Sequence, residues 1–134
     1  MRAAPGVGLA APQVGVPLRL CVLDPSAGSD PAALRGLVNP ELLDSEGVEN
    51  EEEGCLSIPG FIERVERPGR VTVRGLALDG GEIVLCADGM LARVVCHEID
   101  HLNGVLFVDR LRGLRRDRAR RALRRIAEEA MVAT

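Results

Sequence analysis

Aromatic side chains are almost missing from this chain, which has no Trp, no Tyr and only Phe61 and Phe107 in 134 residues. Nucleic-acid bases would find no row of rings to stack on, so sequence-specific nucleic-acid binding is not expected. The core has to be built from Leu, Val, Ile and Ala instead. Long apolar runs are missing as well. None approaches the roughly 18–20 residues that span a bilayer, and the N-terminus lacks a signal peptide's basic start and long apolar stretch. These absences read as a cytoplasmic protein with no membrane partner. Lysine is absent too, every basic residue being Arg. Disulfides are not expected. In a reducing compartment Cys21 and Cys86, set in apolar strand-like runs, and Cys96, beside a His, read as core thiols.

The length suits one domain, 1–134, burying roughly two-thirds of its unfolded surface around a single core. Charge is unevenly placed. Residues 1–108 hold 8 Arg against 16 acids, net −8, and residues 109–134 hold 9 Arg against 4 acids, net +5. An acidic body thus carries a basic appendage, and a cationic helix can meet RNA phosphates without reading bases.

Histidine is scarce, and its placement is informative: the two residues stand four apart in His97-Glu98-Ile99-Asp100-His101. On a helix, positions i and i+4 share a face with Cβ atoms about 5–6 Å apart, so both imidazoles can reach one ion at roughly 2.0–2.1 Å. Glu98 then lies beside the ion, where a carboxylate can take a proton from water. Hydrolysis by metal-activated water is the chemistry this spacing proposes.

A third ligand is needed. The zinc-protease extension H-E-x-x-H-x-x-G-x-x-H is followed through Gly104 but fails at Phe107, and Glu128 and Glu129 near the C-terminus are poor substitutes. Cys55 is the better candidate, lying in Glu53-Gly54-Cys55-Leu56-Ser57-Ile58-Pro59, where Gly and Pro rule out a regular helix. One Cys and two His leave a tetrahedral position free for water or substrate, as catalytic sites require.

Three stretches in order, Gly6-Val7-Gly8-Leu9-Ala10-Ala11-Pro12-Gln13, Glu53-Gly54-Cys55-Leu56-Ser57 and His97-Glu98-Ile99-Asp100-His101, resemble the three motifs of peptide deformylases. The resemblance covers nearly the whole chain. It implies an α+β fold, with antiparallel β-sheets around a central metal-binding helix and a C-terminal amphipathic helix. It also implies removal of the formyl group from N-formylmethionyl peptides as formate. The cofactor it implies is one divalent ion per chain on Cys55, His97 and His101, Fe²⁺ in cells, with Zn²⁺, Ni²⁺ or Co²⁺ as replacements. Glu98 becomes the proton-transfer group, with the Gln13 amide and the Leu56 backbone N–H as oxyanion donors. Gly8 and Leu56 would offer backbone bonds to an extended peptide, and Val7, Arg93 and Val94 would surround its first side chain. Glu53 and Arg67 would form an ion pair that orients the metal loop. The C-terminal helix, 109–134, would contact the ribosome.

Two departures accompany the match. Cys96 stands where relatives usually have Gln, placing a thiol near the site that could be oxidised or compete for metal. Relatives also carry a helical segment ahead of the first motif, of which Met1 to Ala4 would be only the end. Either the start lies upstream, or this is a short form whose exposed patch is tolerated or covered by another copy. Two alternatives to a general deformylase follow: a metal-binding relative with weak or no catalysis, and a deformylase of one specialised N-formyl substrate. An endopeptidase is disfavoured by the missing downstream ligand.

For local structure, 18–24 reads as a buried strand and 37–39 as an extended stretch limited by Pro40. Phe61 to Val65 and Arg70 to Leu78 read as further strands, the latter returning through Asp79-Gly80-Gly81 into Glu82 to Cys86. Asp88 is placed to cap a helix running from Gly89 to about Leu102 and ended by Gly104. From Leu111 onward, Leu114, Ala119, Ala122, Leu123, Ile126 and Ala130 form an apolar stripe opposite the arginines.

Overall fold

A computed structural model describes residues 8–11, 15, 18–24, 35–55 and 58–133. Strands β1 (Gly8–Ala10), β2 (Leu20–Leu23), β3 (Arg35–Glu46), β6 (Arg70–Leu76) and β7 (Glu82–Asp88) form one sheet in the order β1-β2-β3-β6-β7, every pair antiparallel. Strands β4 (Glu49–Cys55) and β5 (Ile58–Arg67) form a separate two-stranded hairpin. Helix α1 (Gly89–Leu102), a 3₁₀ turn (Phe107–Arg110) and helix α2 (Gly113–Ala133) follow. Among the described residues no helix is long and apolar enough to cross a membrane.

Alternation places the core. Cys21, Leu23, Leu37, Val71, Val73 and Ala87 point inward from the large sheet and pack on Ala92, Val95, Cys96 and Ile99 of α1. A second cluster joins Cys55, Ile58 and Val65 of the hairpin to Phe107, Val108, Leu111 and Ala119. Helix α1 is consequently buried from Ala92 to His101, with the large sheet packed on its apolar side and the hairpin bonded to it through buried charges.

The β6–β7 hairpin follows expectation, with β6 ending at Leu76: Gly80 adopts φ +90° and the Asp79 carboxylate accepts the Gly81 N–H at 2.9 Å. Four local readings need correction. Pro40 does not end β3. Asn39 takes φ +50° and donates its N–H to the Arg19 carbonyl, and the register shifts between Val38 and Glu41, so the proline falls in a bulge where no ladder donor is needed. Strand β4 was not foreseen, because Glu, Asn and Gly are poor strand formers; pairing with β5 overrides that preference. Asp88 stands at the α1 N-cap but makes no capping hydrogen bond, lying instead 3.9 Å from Arg70 across the β6–β7 pair. On α2 only Ala119, Ala122 and Ile126 of the expected stripe pack inward, and Leu114, Leu123 and Ala130 are exposed.

Candidate metal centre

Helix α1 and strand β4 meet at three ligating atoms. His97 Nε2 lies 2.9 Å from His101 Nε2, which lies 3.1 Å from Cys55 Sγ. All three atoms fall within 4.8 Å of one another, and all three residues are buried. Bonds of about 2.0–2.3 Å to one tetrahedral ion require ligand separations of ~3.3–3.6 Å, so small adjustments accommodate a cation. The donor set, one thiol and two imidazoles within reach of one ion, fits a divalent transition metal.

Cys55 reaches the trio because of an irregularity in its hairpin. From Glu49 to Gly54 the register with β5 is regular, after which Cys55 pairs with Ile58 across a bulge that includes Gly60 at φ +77°. Beside the trio, His97 stacks on Phe107 at 6.3 Å between centroids and Phe107 on Phe61 at 6.0 Å. Both phenylalanines of the chain therefore buttress one imidazole, and Phe107, where a protease would have its third His, packs against His97 instead.

A layer of buried charge orients these groups. His97 Nδ1 meets Glu53 Oε2 at 2.6 Å; with the proton on Nδ1 and donated to the carboxylate, Nε2 keeps its lone pair for a metal. Arg67 clamps Glu53 with two bonds, at 3.0 and 2.6 Å, and donates to Asp100 at 2.6 Å. Arg110 donates twice to Asp100, at 2.7 and 2.6 Å. Burial alone would raise the Glu53 pKa, but the bonds from His97 and Arg67 overturn that and hold it at about 2. Asp100 is likewise held below its ordinary range, because bonds from Arg110 and Arg67 outweigh burial. Both carboxylates are therefore anionic partners.

Glu98 is different. It is 2% exposed, its Oε1 lies 3.8 Å from His97 Nε2, and its Oε2 has no hydrogen-bond partner among the described residues. Burial pushes its carboxyl up to about 7, against the attraction of the two imidazoles. A buried carboxylate oxygen is costly to leave unpaired, so Glu98 Oε2 needs a partner beyond the described residues. Gly8 permits this placement. A Cβ there would stand 2.8 Å from Val94 Cγ1 and 2.9 Å from Glu98 Cγ, so β1 can approach the helix only as glycine.

Val94, Gly8 and Glu98 are therefore neighbours, whereas Arg93 turns away. Its buried guanidinium bonds Glu53 and two backbone carbonyls of the β4–β5 hairpin, leaving no head group for a substrate side chain. Cys96 faces the core, and burial raises its pKa. Val7, Gln13 and Leu56 lie outside the described residues. Asp100 and Arg110 went unrecognised in the sequence, although an acid in the middle of an apolar helix signals a buried cation opposite it.

The polypeptide deformylase family model matches residues 1–117. The peptide deformylase of Thermodesulfovibrio yellowstonii is 53% identical over 114 residues, covering 85% of this chain and 69% of that protein. The Caulobacter vibrioides peptide deformylase is 50% identical over 117 residues, covering 87% and 68%. A Legionella pneumophila peptide deformylase crystal structure superposes with a TM-score of 0.84 at 45% identity, over 98% of this chain and 76% of that one. With these matches joined to the buried Cys55, His97 and His101 trio, the chain belongs to the polypeptide deformylase family, hydrolases that remove the formyl group from N-terminal formyl-methionine.

Proposed function

We propose that Cys55, His97 and His101 hold one divalent ion, Fe²⁺ in cells with Zn²⁺, Ni²⁺ or Co²⁺ as replacements, and that Glu98 moves the protons of deformylation. When bound, the ion supplies Lewis acidity, lowering the pKa of water to ~7 and polarising the formyl carbonyl. Glu98 accepts the proton of the attacking water and returns it to the leaving amine, a role typically worth 10²–10⁴-fold. The observation that carries this assignment is the buried Glu98 beside the ligand trio, its Oε2 without a hydrogen-bond partner among the described residues.

The Gln13 amide and the Leu56 N–H donate to the oxygen that becomes negative, each worth about 10²–10³-fold. The formyl peptide lies extended along β1. Among the described residues that strand ends the large sheet and pairs with β2, which places Gly8 to offer its backbone groups to an added strand. Val7 and Val94 border the first side chain.

Outside the site, the exposed arginines of α2, including Arg120, Arg121, Arg124 and Arg125, contact ribosomal RNA phosphates. The working location is the cytoplasm. The assignment of Glu98 is tested by Glu98→Gln, in which metal content stays at one per chain and turnover of formyl-Met-Ala-Ser falls at least ~10²-fold. Undiminished turnover would remove Glu98 from the mechanism.

A further inference from the structure

Arg93 lies one turn before His97, so Arg93, His97 and His101 recur at four-residue steps along one stripe of α1. The residue is 5% exposed. Its Nη1 donates to Glu53 Oε1 at 3.1 Å and to the Val65 carbonyl at 2.9 Å, and its Nη2 donates to the Glu49 carbonyl at 2.9 Å. All three acceptors belong to the β4–β5 hairpin that carries Cys55, while the donor belongs to the helix that carries both histidines.

The Glu53 carboxylate is shared among three partners. Oε2 meets His97 Nδ1 and Arg67 Nη2; Oε1 meets Arg67 Nε and Arg93 Nη1. Arg67 comes from the same hairpin as Glu53 and fixes the carboxylate relative to its own strands. Arg93 reaches the carboxylate from the helix. It therefore sets Glu53 relative to His97, and its two carbonyl bonds tie α1 to both strands of the hairpin, at Glu49 of β4 and Val65 of β5.

We propose that Arg93 is a positioning residue of the metal centre, acting through Glu53 to orient His97. This rests on the reading of Cys55, His97 and His101 as metal ligands. It also replaces the expectation that Arg93 lines the substrate pocket. A planar guanidinium suits the task because its rigid fork holds separate nitrogens toward acceptors on both strands of the hairpin, whereas an ammonium gathers its three donors at one point. Groups that orient a metal-bound histidine typically change metal affinity by 10–100-fold when removed.

The test is a double-mutant cycle in the full chain loaded with Co²⁺, combining Arg93→Met and Glu53→Gln. Loss of Co²⁺ to a chelator is followed by the visible spectrum, beside kcat and KM for formyl-Met-Ala-Ser. The expected result is that Arg93→Met speeds Co²⁺ loss 10–100-fold, lowers kcat with KM within about twofold, and adds less than about twofold once Glu53 is Gln. Arg93→Lys recovers part of the retention, and it takes the place of Arg93→Met in the cycle if the latter does not fold. Unchanged retention with a raised KM would overturn the proposal in favour of a pocket residue. Retention losses that multiply would overturn it too, since they mean that Arg93 only pins the hairpin. A wild-type chain that holds no Co²⁺ would overturn the ligand assignment along with it. One that holds Co²⁺ but releases no formate would contradict the deformylase reading and leave the retention cycle a valid test of Arg93.

Discussion

Gly8 shows how one missing side chain positions another. Gly8→Ala would put a methyl group 2.8–2.9 Å from Val94 and Glu98, forcing either the strand or the carboxylate to move. The expected outcome is a drop in kcat of about tenfold or more, because small misplacements of reacting groups are costly. Metal content should stay unchanged, since the nearest atoms to the added methyl belong to Val94 and Glu98 and not to the three ligands. Activity equal to wild type would show that the contact relaxes harmlessly. The H-E-x-x-H spacing and the isolated Cys55 were readable from the sequence because each rests on residue types that few other roles explain. The wiring around them was not readable. Glu53 could be paired with Arg67 by resemblance, but Asp100, Arg110 and the direction of Arg93 depend on which faces of α1 the hairpin and the 3₁₀ turn cover, and that is a tertiary fact.

At the level of elements, local patterning succeeded where one rule acted alone. The β6–β7 hairpin carries alternating Val71 and Val73 and a Gly-Gly turn, and α1 carries a continuous apolar side. It failed where tertiary pairing overrode propensity, as in the acidic β4 and in β3, which continues past Pro40 through the Asn39 bulge. That bulge is open to test. Asn39→Gly should leave the melting temperature near wild type, because φ +50° is easy for glycine. Asn39→Val should destabilise by about 1–3 kcal/mol, the usual cost of a β-branched residue in the left-handed region. Equal melting temperatures for the two variants would mean that the bulge relaxes without strain.

For the whole molecule, exposure sorts the cysteines. Cys21 is 1% exposed, and burial pushes its thiol up to about 12, with the charge of Glu98 adding to the shift. Cys96 is raised by burial as well, whereas Cys86, expected in the core from its apolar run, faces outward on β7 and is exposed, because strand alternation puts it on the opposite face from the buried Ala87. Iodoacetamide at pH 8 should label Cys86 in the native protein and reach Cys21 and Cys96 only after unfolding, as peptide mapping would record. Such protection would also remove Cys96 as an oxidation hazard, while native-state labelling of Cys96 would restore it. The division of charge between an acidic body and a basic α2 was legible from composition alone. Replacing Arg120, Arg121, Arg124 and Arg125 by Glu should abolish co-sedimentation with ribosomes at low salt without altering turnover of a free peptide; unchanged co-sedimentation would dismiss the rRNA contact. The central claim, that the buried trio and Glu98 together perform deformylation, is met most directly by measuring formate release from formyl-Met-Ala-Ser. The protein should be purified anaerobically and loaded with Fe²⁺ or Ni²⁺, with Glu98→Gln beside it. The account requires one metal per chain, formate appearing in step with the free amino terminus, and loss of both in the variant. One bound metal without formate, or formate undiminished in Glu98→Gln, would contradict it.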